Sequence, residues 1–170
     1  SKLDDEKRLG EILDEMRSRS RMRLEGASHS AAVARACSYF SPVRAFDDMT
    51  GGIEYFHFLE KTADAYSKDE KFRKELVRKL KETAEKLFAA DNLMVGYTAD
   101  EEGYKALPEE LKKFKAALSD KPSRRYAFEF VPELKNEGFK TSSKVNYVAR
   151  CGSFDAEAYT GALEVLKVIM

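Results

Sequence analysis

The stretch "RRYAFEFVP", Arg124–Pro132, sets three aromatic rings, Tyr126, Phe128 and Phe130, at alternate positions against Ala127 and Glu129. A period of two marks a half-buried strand, because successive side chains leave a pleated backbone on opposite faces. Two other stretches share it. Leu93, Val95 and Tyr97 alternate with Met94 and Gly96, and "KVNYVARCG" sets Val145, Tyr147 and Ala149 against Asn146, Val148 and Arg150. Short polar connections at 135–137 and 141–143 suit turns between antiparallel strands. The expected fold class is therefore α+β, with helices packed on an antiparallel sheet.

Upstream of these stretches the period is helical. Leu9, Ile12, Leu13 and Met16 fall on one face of a helix that Gly26 ends. In "SHSAAVARACSYF", Ala31, Ala32, Ala34 and Ala36 allow a close helix–helix approach before Ser41-Pro42 stops the element. A loop over 42–50 is expected to lead through Gly51-Gly52 into a helix carrying Ile53, Phe56, Leu59 and Ala63. Ser67 with Glu70 reads as a capping box for a fourth helix, which turns Phe72, Leu76, Leu80 and Leu87 inward. Thr98 with Glu101 reads as a second capping box, with Pro108 restarting the helix that carries Leu111, Phe114 and Leu118. Residues 119–123, polar and with Pro122, form the expected linker. A last helix is expected over 154–170, with Tyr159, Ala162, Leu163, Leu166 and Ile169 in register, and its uncapped apolar end reads as a cut.

The 170 residues suffice for one domain or parts of two. Thirty basic residues balance thirty acidic ones, so no net field draws the chain to nucleic acid or an anionic membrane, and neither is an expected partner. Cys37 and Cys151 belong to no C-x-x-C pair and read as reduced core thiols. No apolar run approaches the ~20 residues of a membrane span, and no signal peptide opens the chain. The expected location is cytoplasmic.

Chemistry has few footholds. "EYFHFLEK", Glu54–Lys61, holds a His, two spacers and a Glu, but Lys61 stands where a second His would complete the zinc motif H-x-x-E-H. An ammonium is a poor ligand and repels the cation. Cys37 follows His29 by two helical turns, roughly 12 Å along the axis, too far for a nucleophile and its base. There is no G-x-S-x-G elbow, and Gly51-Gly52 lacks the G-K-[ST] of a phosphate loop. The alternating "RSRSRMR", Arg17–Arg23, spreads its charge around a helix as a solvated face. No catalytic, cofactor-binding or metal-ligating residue is expected.

One long stretch carries a resemblance. His29, Ala32, Arg35 and Ala36, then Ser38, Ser41 and Pro42, then Thr50, Gly51, Gly52, Ile53, Tyr55, Phe58, Leu59 and Glu60 follow a pattern similar to the presequence-protease and falcilysin branch of the insulinase (pitrilysin) superfamily of zinc metallopeptidases. "KVNYVARCGSF" and the helix after "YTGAL" resemble the entry to that family's last domain. The resemblance implies that residues 1–120 are the later part of a third α+β domain, and 121–170 a linker and the start of a fourth. It implies a non-catalytic fragment of a zinc metalloendopeptidase that degrades short unstructured peptides, serving as chamber wall and scaffold. Zinc is then bound by the parent protein and not by this chain. Partners are the remaining domains of the parent chain and the peptide substrate, and Phe139 and Tyr147 are candidates for lining the substrate chamber. The alternative is a non-catalytic assembly module on the same fold.

Overall fold

The computed structural model describes residues 5–122, 126–131, 133–142, 144–153, 161–163 and 165. Its named elements are the helices α1 (Glu6–Gly26), α2 (Ser28–Ser38), α3 (Pro42–Gly51), α4 (Ile53–Lys68), α5 (Glu70–Leu87) and α6 (Glu101–Ala116), with a short 3-10 turn at Ala90–Asn92.

The expected α+β fold is overturned. Among the described residues there is no sheet; pairing is confined to one isolated parallel bridge between Ala89 and Ser119. The stretches 93–100, 126–131 and 144–153 take irregular paths. Alternation chooses two faces for a strand but supplies no neighbour, and a strand exists only when its backbone groups find a ladder. Val95, Tyr126 and Val145, one from each alternating stretch, are 45%, 69% and 56% exposed, so the alternation builds no buried face here. The helix expected over 154–170 lies largely outside the described residues; 161–163 and 165 are helical.

The loop expected over 42–50 is also a correction, because it is α3. Ser41 caps this helix by accepting from the Arg44 N–H, and Pro42 stands at the first position, where a missing N–H costs no hydrogen bond. Both capping boxes shift by two residues. Asp69 caps α5, accepting from the Lys71 and Phe72 N–H groups, while the Ser67 hydroxyl donates to the Asp64 carbonyl inside α4. Asp100 caps α6 by accepting from the Gly103 N–H, and the helix runs through Pro108 without restarting.

The chain divides into two compact units, Ser1–Glu15 with Lys61–Glu129 and Met16–Glu60 with Phe130–Met170. The first is built on Leu13, Ala63 and Tyr66, with Leu9, Phe72 and Leu76 packed against them. Gly10 lets Tyr66 approach, since a Cβ there would stand 3.4 Å from the ring. The buried Tyr66 hydroxyl donates to the Glu6 carbonyl at 2.9 Å, which satisfies the one polar atom of the ring. In the second unit α2 packs on α3, and Ile53 and Leu59 are buried.

Candidate functional site

The second unit gathers the polar and aromatic residues that could take part in recognition. Its hub is Arg35, on the alanine-rich face of α2. The guanidinium reaches Asp48 of α3 at 2.5 Å and Glu54 of α4 at 3.5 Å. It also grips Glu137 with two parallel bonds of 2.8 and 3.0 Å. The Tyr39 hydroxyl donates to the same Glu137 carboxylate, and the Tyr39 ring lies under the guanidinium, 5.1 Å from its centroid. Such a fork-on-fork pair is the strong form of a charged hydrogen bond.

These contacts shift the groups involved. The Arg35 bond holds the Glu137 carboxyl down at about 2, despite an opposing contribution from burial. Arg35 rises further into its charged range, chiefly through Glu137. Burial, then the bond to Glu137, pushes the Tyr39 phenol up to about 12.

Asp48 does a second job with its other oxygen, which accepts the Ile53 N–H at 2.9 Å and so closes the start of α4. This brings the Asp48 backbone so near Gly52 that a Cβ there would stand 2.8 Å from the Asp48 Cα. Gly51-Gly52 is thus a tight helix entry, as the sequence suggested, made tight by a buried acid.

The two expected contact residues lie in this unit and are not brought together with each other by any ring contact. Tyr147 leans on His29 with ring centroids 5.7 Å apart, and Phe139 leans on His57 at 6.1 Å. Both aromatics keep about half their surface open. Each histidine therefore meets an aromatic ring from the irregular C-terminal segment, a pairing no sequence spacing announced.

Zinc does not fit these residues. Glu60, the acid of the near-motif, accepts from Arg21 at 2.9 Å, and Phe139 covers one side of the His57 ring. Among the described residues no group of three or more His, Cys, Asp or Glu side chains is arranged to hold a metal ion. Among them, too, no helix is long and apolar enough to cross a membrane. The expected chamber-wall and scaffold role presupposed a sheet with helices packed on it. With no sheet among the described residues, that role, the assembly module on the same fold, and the description as part of an α+β zinc metallopeptidase are all corrected.

Three features escaped the sequence. Arg35 was singled out only as part of a pattern, and nothing marked Asp48 and Glu137 as its partners. Helix α3 did have a signal, since Ser41-Pro42 followed by Val43, Phe46 and Met49 has a cap and an apolar period of three. The approach of Cys37 to Cys151, at 3.0 Å between sulfurs, had none.

Comparison with known proteins points one way. The family described as Peptidase M16C associated matches residues 1–61. Protein HypA of Clostridium perfringens is 28% identical over 170 residues, covering 99% of this chain and 17% of that protein. Presequence protease 1, chloroplastic/mitochondrial, of Arabidopsis thaliana is 25% identical over 156 residues, covering 91% of this chain and 14% of that protein. The chain thus spans about a sixth of the length of these curated relatives. No solved structure matches it. The family match and the presequence-protease relative support the insulinase (pitrilysin) superfamily, at family level.

Proposed function

We propose that this chain is a helical interaction segment that packs, within a longer polypeptide of the presequence-protease branch, against other parts of that polypeptide. Helix α3 carries the proposal, because it is turned inside out. Its buried residue is Asp48, 6% exposed, whereas Val43, Phe46 and Met49 are 67%, 55% and 52% exposed along one side. A helix normally buries its apolar stripe, so one that buries an acid and shows the stripe to solvent is shaped for a further surface. The coverage of the relatives supports the rest of that polypeptide as the occupant, since about five-sixths of each relative lies outside the region matched here.

Phe139 and Tyr147 belong to the same proposal, as half-open rings for an extended segment of that polypeptide or for a bound peptide to touch. So do a boundary near residue 120 and a cytoplasmic location, which cell fractionation checks.

The test expresses the rest of the polypeptide separately and measures its association with this chain. Binding is expected, and Val43→Glu with Met49→Glu is expected to weaken it by about tenfold or more while the helical circular dichroism stays unchanged. Equal binding by the double variant, no binding by the wild type, or a gene that encodes no further residues would each overturn the proposal.

A further inference from the structure

Cys37, in the last turn of α2, and Cys151, at the end of the 144–153 segment, bring their sulfurs to 3.0 Å across 114 residues of sequence. A second contact joins the same two stretches. Tyr147, four residues before Cys151, meets His29, eight residues before Cys37, with centroids 5.7 Å apart. The segment carrying Tyr147 and Cys151 thus meets α2 at two places, and the Cys151 thiol also lies 3.9 Å from the Val33 carbonyl.

We propose that Cys37 and Cys151 are a redox modification site, a dithiol that a small disulfide such as oxidised glutathione converts to an intramolecular bond, pinning residues 144–153 onto α2. The sulfurs need close by only about 1 Å to reach bonding distance. The hydrogen bond with Cys37, and then burial, push the Cys151 thiol up to about 11, so Cys151 keeps its proton near neutrality and serves as the second, resolving thiol.

The Cys37 thiolate attacks one sulfur of glutathione disulfide, forming a mixed disulfide and expelling one glutathione thiolate, which takes a proton from solvent. Cys151 then attacks the Cys37 sulfur, and its proton leaves with the second glutathione. Two protein thiols are oxidised, and one glutathione disulfide is reduced to two thiols. The outcome is independent of whether the rest of a longer polypeptide binds, because it is read on this chain alone.

The experiment incubates the purified chain in mixtures of oxidised and reduced glutathione, quenches with acid and reads intact mass and peptide maps. The expected result is a single product lighter by two hydrogens, linking the Cys37 and Cys151 peptides, and reversed by dithiothreitol. Cys151→Ser, and Cys151→Ala as a second variant, should stop at one glutathione adduct on Cys37. Amide exchange in 144–153 should slow by about tenfold on oxidation. Two separate adducts on the wild type, cross-links only between chains, no reaction, or unchanged exchange after oxidation would overturn the proposal.

Discussion

Arg35 and Glu137 meet in a two-pronged ion pair, 2.8 and 3.0 Å, although 102 residues separate them in sequence. The pair ties the irregular C-terminal segment to α2 without any backbone ladder. Because the same guanidinium also serves Asp48, the hub couples α2, α3 and Glu137 through one side chain.

Removing Asp48 is the most damaging single change expected in this unit. Asp48→Ala strips Arg35 of its closest carboxylate and leaves the Ile53 N–H without its acceptor. Breaking a largely buried pair from one side costs about 3 kcal/mol or more. Asp48→Asn keeps an acceptor for Ile53 and loses only the charge, so urea unfolding should rank it between Asp48→Ala and the wild type. If the alanine and asparagine variants unfold together, the second bond to Ile53 contributes nothing.

The hub also fixes how this unit responds to pH. Glu137 has its carboxyl lowered to about 2, so its contribution is present above the ordinary glutamate range and is lost as pH falls from there through about 2. Tyr39 has its phenol raised to about 12, so its contribution is present below the ordinary tyrosine range and is lost as pH climbs through about 12. Burial raises the Tyr66 phenol as well, so ultraviolet titration should show late ionisation from both Tyr39 and Tyr66, with the Tyr39 part lost in Tyr39→Phe and moved toward the ordinary range in Glu137→Gln. A Glu137→Gln curve identical to the wild type would separate Tyr39 from Glu137.

Glycine at 52 is a packing requirement. In Gly52→Ala the new methyl meets the Asp48 Cα at 2.8 Å, and backbone cannot swing away as a side chain can. Such overpacking costs ~1–3 kcal/mol. Gly26, at the end of α1, has nothing within 4 Å of a built Cβ and no positive φ, so Gly26→Ala should be neutral or stabilising by up to ~1 kcal/mol. Thermal melts of the two variants should therefore move in opposite directions or differ clearly in size.

What the sequence disclosed follows from which forces are local. Helix periodicity is local, so Leu13, Ile53, Leu59 and Ala63 were legible as inward residues and all four are buried, whereas Leu87 and Phe114, read as inward on the same grounds, are 61% and 56% exposed because periodicity does not say whether a neighbour covers the face. Pairing between strands is not local, and alternation at Tyr126, Phe128 and Phe130 gave a pattern without saying whether a partner exists. Helix α3 had a local signal in the Ser41-Pro42 cap and the period of three at Val43, Phe46 and Met49, but burial of its Asp48 side depends on Arg35 and so on tertiary folding. The contact residues Phe139 and Tyr147 were named from resemblance alone, and their histidine partners depend on tertiary folding. Helix starts were located to within two residues, since Ser67 and Thr98 compete with aspartates standing two positions later.

That competition makes the last prediction. An aspartate carboxylate at an N-cap bonds free N–H groups and also meets the positive end of the helix dipole, whereas a serine hydroxyl offers only the bond. Asp69 accepts from two N–H groups, at 2.8 and 3.2 Å, while Ser67 is already inside α4 with its hydroxyl on the Asp64 carbonyl. Asp69→Ala should therefore cost about 1 kcal/mol, and Ser67→Ala should be close to neutral. Asp100→Ala and Thr98→Ala should repeat the contrast at the start of α6, where Asp100 accepts from the Gly103 N–H at 2.8 Å. Urea unfolding of the four variants decides it, since a larger loss at Ser67 or Thr98 would return the caps to those residues.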